Sequence, residues 1–89
     1  MKQFVFNGAA MVSRTSAHDE IARAMALPEH YGRNLDALWD ILTSIRAEII
    51  LKSPAPMLNA LGIYGCKLLQ TLFEAAEENE DLRFIVENT

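Results

Sequence analysis

Apolar residues recur along this chain in two rhythms. Three runs, FVF at 4–6, EIIL at 48–51 and RFIV at 83–86, are too short for helices and carry β-branched or aromatic side chains, which predicts strands. None alternates cleanly with polar residues, so both faces of each are expected to be covered, as in a parallel sheet. The intervening segments follow a helical period. Strand, helices, strand, helices, strand is an α/β layout whose default crossovers are right-handed. Asn7-Gly8 could open a hairpin, but AAMVS after it makes a poor partner strand, and the pair is read as a turn.

A first helix is expected over 16–25, with Thr15 or Ser16 as N-cap, His18 on the surface, and Asp19 and Glu20 in the first turn. Its apolar face is Ala17, Ile21, Ala24 and Met25, and Pro28 ends it. A second helix begins after the turn HYGRN, capped by Asn34, and reaches Ser44 or Ile45. SPAP at 53–56 is read as a stiff loop before a short helix over 57–61 that Gly62 stops. The last helix is expected over 65–78, apolar on Leu68, Leu69, Leu72, Phe73 and Ala76. No repeat or low-complexity tract divides the 89 residues, which are read as one domain, 1–89.

Composition adds few constraints. The chain is 51% apolar and 22% charged, an ordinary globular balance. No apolar run approaches the roughly 18 residues of a membrane span, and no secretory h-region is evident, so a soluble cytoplasmic protein is expected. The single cysteine, Cys66, excludes an internal disulfide. Charge is more informative. The total is −4, and EAAEENED at 74–81 holds five acids and no base. That sign opposes a nucleic-acid ligand and favours a basic partner.

The second helix raises a sharper question. At about 100° per residue, Leu38, Ile41, Leu42 and Ile45 share a side with Leu35, while Asp36, Asp40, Thr43 and Ser44 face the other way and Trp39 lies on the border. A border tryptophan is usually packing, and two aspartates four apart are usually a solvated face. Yet aspartates at that spacing repel slightly, and aspartate is a mediocre helix former. With Gly32 and the aromatics His30 and Tyr31 beside them, they make a patch suited to a cationic protein surface.

LPEHYGRNLDALWDILT at 27–43 closely resembles the barstar family of small intracellular ribonuclease inhibitors, in one ungapped stretch. Looser likeness extends through FNG at 6–8, LQTLFEAAEEN in the last helix and LRFIVE in the last strand. The resemblance implies a three-stranded parallel sheet with helices packed against it, the layout already read from the periodicity. It also implies roles. Asp40 would enter a ribonuclease active site in place of a substrate phosphate, and Asp36 would pair with a cationic side chain at its rim. His30, Gly32 and Asn34 would close over the cleft, Thr43 would contribute at the far end of the helix, and Trp39 would support the surface. The expected partner is a basic, extracellular-type microbial ribonuclease bound 1:1, with the free inhibitor a monomer. No cofactor is implied. The family's acidic contact on the last helix falls at Ala75 here, and Glu74 or Glu78 is the available substitute.

Other functional classes have thinner support. Cys66 with His18 or His30 could be imagined as nucleophile and base, but Cys66 reads as a small semi-buried hydrophobe and no phosphate loop, nucleophile elbow or metal-spaced cluster accompanies it. Asp36 and Asp40 could help hold a divalent cation, but calcium needs six or more oxygens and no EF-hand loop exists. No catalytic and no metal-binding residue is therefore assigned. The remaining alternative is a non-inhibitory acidic interaction module that presents the same face to another partner.

Overall fold

The computed structural model describes residues 1–88. Strands β1 (Lys2–Asn7), β2 (Ala47–Lys52) and β3 (Leu82–Glu87) form one parallel sheet in the order β1-β2-β3. The helices are α1 (Arg14–Met25), α2 (Leu35–Leu42), α3 (Pro54–Leu61) and α4 (Ile63–Glu78), with a 3-10 turn over Gly8–Ala10. The three apolar runs thus form the three strands, and the α/β class is as the periodicity predicts. No helix among the described residues is long and apolar enough to cross a membrane.

Coverage of both sheet faces does not hold. Phe4, Ile49 and Phe84 are register partners, as are Phe6, Leu51 and Val86, and these rows face the helices. The opposite face carries Val5, Ile50 and Ile85 between the polar rows Gln3–Glu48–Arg83 and Asn7–Lys52–Glu87, and none of these residues is fully buried. Topology explains the difference. Two successive crossovers of one hand, stepping the same way across the sheet, place their helices on the same side. Glu48 is held on the open face by Gln3 Nε2, which donates to it at 2.6 Å, and by Arg83 at 3.8 Å.

The core lies between sheet and helices. Phe6, Ile49 and Leu51 meet Ile21, Leu38, Leu42, Met57, Leu68 and Leu72, all essentially inaccessible. Each such side chain contributes about 1.5–3 kcal/mol through burial. Phe73 departs from the expected apolar face of α4: it is 47% exposed and sets its ring edge against Phe84, 4.8 Å between centroids. Ala75 takes the buried place instead.

Helix ends moved for identifiable reasons. Ser13, not Thr15 or Ser16, caps α1: its side chain accepts from Ser16 N, and Ser16 Oγ accepts from Ser13 N, each at 3.0 Å. A serine in the usual Glu or Gln place hides this reciprocal box. The earlier start takes Asp19 and Glu20 out of the first turn, and Glu20 turns inward to accept from Asn7 N at 2.9 Å and from Arg23 at 2.8 and 3.0 Å. SPAP is not a loop. Pro54 opens α3, where a proline lacks only an N–H that would have no partner anyway. Cys66 is exposed rather than semi-buried.

Candidate protein-binding surface

The loop from Ala26 to Asn34 sets the start of α2. Ala26 leaves α1 in the left-handed region (φ 53°) while Leu27 N donates back to Ala22 O at 2.9 Å, a hydrogen-bonded stop. Tyr31 N donates to Pro28 O at 3.0 Å, and Arg33 also adopts positive φ, 50°. Asn34 then caps α2 as expected: its Oδ1 accepts from Ala37 N at 2.7 Å while its Nδ2 donates to Gly32 O at 3.1 Å. Cap and loop closure therefore share one side chain. Asn34→Ala is expected to cost about 1 kcal/mol, read as a lower urea midpoint together with faster amide exchange at Ala37.

Burial along α2 follows the helical wheel. Leu38 and Leu42 are inaccessible, Leu35, Ile41 and Ile45 pack partly buried against the core, and Trp39 lies half-buried on the border. Asp36 and Asp40 are exposed, and neither carboxylate makes a hydrogen bond or ion pair with a described residue. Their helical settings differ. Asp36 sits in the first turn, where the helix dipole favours an anion. Asp40 sits in the last turn, where the dipole opposes it and no basic residue compensates. Nothing inside the fold accounts for a carboxylate at position 40.

The helix ends just short of the expected Ser44 or Ile45, and side chains bond its last carbonyls. Thr43 Oγ1 donates to Trp39 O at 2.8 Å, Ser44 Oγ donates to Asp40 O at 2.9 Å, and Asn79 Nδ2 donates to both Leu42 O and Ile45 O, at 2.9 and 2.7 Å. The Thr43 proton is thus used internally, leaving its oxygen to accept. His30 and Gly32 are exposed in the loop, so the seven candidate positions form a strip from the loop down the outer side of α2. Gly32 is closely seated: a Cβ there would stand 3.1 Å from Ala37 Cβ. On α4, Glu74 accepts from Gln70 Nε2 at 2.8 Å, and Glu78 is exposed. No group of three His, Cys, Asp or Glu residues among those described is placed to hold a metal ion.

Two features were missed. His18 is not on the surface: it is 1% exposed, with Nδ1 2.8 Å from Tyr31 Oη and Nε2 2.7 Å from Tyr64 Oη. Tyr31 accordingly points inward, 6% exposed, rather than standing beside His30. One signal was available, since His18, Ile21 and Met25 share a helical spacing. Arg33, the other omission, pairs with Asp19 of α1 at 3.0 Å.

Comparison with known proteins identifies the family of the chain. The sequence pattern of the family described as Barstar (barnase inhibitor) matches residues 1–87. The protein named "Putative ribonuclease inhibitor YrdF" from Bacillus subtilis (strain 168) is 33% identical over 91 residues, spanning 98% of this chain and 100% of that one. With a match running from the first strand through the last, the chain belongs to the barstar family, a family of inhibitors and not of catalysts.

Proposed function

We propose that the protein inhibits a small, secreted, basic microbial ribonuclease by inserting Asp40 among the cationic groups that hold the scissile phosphate. The observation that carries this reading is Asp40 itself: an exposed carboxylate without an internal partner, at the end of a helix whose dipole disfavours it. A ribonuclease site gathers positive charge that is unsatisfied without RNA. A carboxylate on a helix anchored by Leu38 and Leu42 reaches that charge with little ordering cost, and an arginine there can grip it through two hydrogen bonds. Asp36 serves a cation at the rim, and His30, Gly32 and Asn34 cover the mouth of the cleft. The complex is 1:1, and it forms inside the cell that needs protection.

The test is a titration. The protein is added to a panel of small microbial ribonucleases while RNA cleavage is followed. Inhibition with a break at one equivalent supports the reading, and unchanged cleavage by every enzyme refutes it. The acidic stretch has a separate role in encounter. Converting Glu77, Glu78 and Glu80 to glutamine is expected to slow association by up to about tenfold at low salt, and less at physiological salt, with dissociation little changed. Stopped-flow mixing at two ionic strengths checks this.

One observation favours the alternative, an acidic interaction module that inhibits no ribonuclease. Arg33 places a guanidinium at the end of the loop, next to the Asn34 cap, where its pairing with Asp19 neutralises an acid beside the proposed contact strip. The same titration separates the two readings.

A further inference from the structure

Leu27 packs partly buried against the core at the start of the loop, and beyond it, from Pro28 to Asn34, Tyr31 is the one side chain that is buried. The loop's other ties are weak or local: an exposed Arg33–Asp19 pair, the Asn34 cap, and the turn from Tyr31 N to Pro28 O. Two of its residues, Ala26 and Arg33, hold left-handed conformations that a non-glycine residue adopts at a cost. A loop of this kind keeps one shape only if its buried anchor is fixed. That anchor ends on His18.

We propose, resting on the function above, that His18 is the positioning residue of the ribonuclease-binding loop: its hydrogen bond to Tyr31 fixes the backbone carrying His30, Gly32 and Asn34, and its protonation releases that backbone and weakens the grip on the enzyme.

A neutral imidazole has one N–H and one bare nitrogen. Between two hydroxyls it donates to one and accepts from the other, so both tyrosines are held. Both stay protonated, because burial pushes the Tyr31 hydroxyl up to about 12 and raises that of Tyr64 as well. The charged groups around His18 come from two elements, the loop and α1. Arg33 approaches from the loop, Asp19 is its neighbour on α1, and Arg14 of α1 lies 4.2 Å over the Tyr64 ring from α4. Burial first, then Arg33, hold the imidazole below its usual range of about 6.5, with Asp19 opposing. At neutral pH the ring is therefore uncharged. When it gains a second N–H, both nitrogens donate: a Tyr31 hydroxyl that had been donating to Nδ1 loses its acceptor, and the new positive charge is repelled by Arg33 of the loop.

The sign follows from proton linkage. With the folded value depressed, the unfolded chain takes the proton first. The contribution of His18 to stability is then fully present above about 6.5 and declines as pH falls below it, until the folded imidazole also titrates.

Tyr31→Phe and Tyr64→Phe each remove one hydroxyl from the same imidazole and keep the ring. Amide exchange across 29–34 in the free protein and dissociation from an inhibited ribonuclease are measured for both, alongside His18→Gln. Tyr31→Phe is expected to speed loop exchange and dissociation about tenfold, the measure of one buried hydrogen bond. Tyr64→Phe, with a comparable loss of stability, is expected to change either by less than about twofold. Between about pH 5 and 8 the wild-type dissociation rate should rise on acidification relative to His18→Gln; the enzyme's own titrations are common to both and cancel. Equal effects from the two tyrosine variants would reduce His18 to a structural core group and overturn the proposal. So would a pH profile unchanged in His18→Gln. If the wild type binds no ribonuclease, the functional reading fails by itself, and the exchange comparison still decides whether His18 holds the loop.

Discussion

Replacing Asp40 with alanine should leave the fold as stable as before, or slightly more so, while the ribonuclease complex dissociates roughly two to three and a half orders of magnitude faster. The two halves of this result share one cause. Alanine is the better helix former, and the change removes a negative charge from the disfavoured end of α2 without breaking a side-chain hydrogen bond or ion pair among the described residues. In the complex the same carboxylate would be enclosed by cations. Removing one member of a buried ion pair costs about 3–5 kcal/mol, because the partner charges stay buried and uncompensated. Asp36→Ala makes the internal control. It gives up a favourable first-turn position, so its fold loses about 0.3–1 kcal/mol, and a rim contact contributes far less to binding than a buried one. Surface plasmon resonance for the complex and urea melts for the free protein read the two halves separately. If Asp40→Ala binds like the wild type, the phosphate-mimic assignment is wrong even where inhibition survives.

Gly8→Ala should be the most damaging single-methyl change in the free protein. Gly8 is buried, and a Cβ there would lie 2.1 Å from Ser53 O, 2.8 Å from Ser53 C and 2.9 Å from Lys52 O. All three are backbone atoms, so no rotamer change relieves the clash. Relief requires moving the exit of β2 and the entry to α3, where Ser53 already holds a left-handed φ of 53°. Overpacking of this kind costs about 3 kcal/mol or more. Set against total stabilities of about 5–15 kcal/mol, that consumes a large share of the margin. The urea midpoint should fall sharply at 25 °C. A shift corresponding to less than about 0.5 kcal/mol would show that the β1–α3 junction yields easily and that the close approach is not a constraint.

These residues mark how far the sequence could be read. The strands were legible because short β-branched runs have few other uses. The orientation of α2 was legible because leucine spacing alone fixes which side meets a core, and with it the exposure of Asp36 and Asp40. Asn7-Gly8 reads as a turn from composition, but its reason, the Ser53 carbonyl against Gly8, lies 45 positions along the chain. The Ser13 cap was hidden by an unusual partner at N3, and Pro54 was taken for a breaker when it starts a helix. The inward turn of His18 and Tyr31 depends on Tyr64, which local periodicity does not reach. In the candidate strip, residue types were readable, but the state of each polar atom was not. Asn34 and Thr43 prove to have hydrogen-bond commitments to their own backbone, whereas the two aspartates have none.

The amide of Asn79 joins two helices that the sequence separates widely. By donating to Leu42 O and Ile45 O, it clamps the end of α4 to the end of α2, and the acids Glu77, Glu78, Glu80 and Asp81 flank it. Negative charge is therefore bolted to the Thr43 end of α2 instead of trailing on a loose tail. A molecule built this way carries that charge at a fixed heading relative to α2. If α2 meets a cationic enzyme as proposed, the approaching charge would exert a torque on the molecule and swing the correct pole forward before any atoms touch.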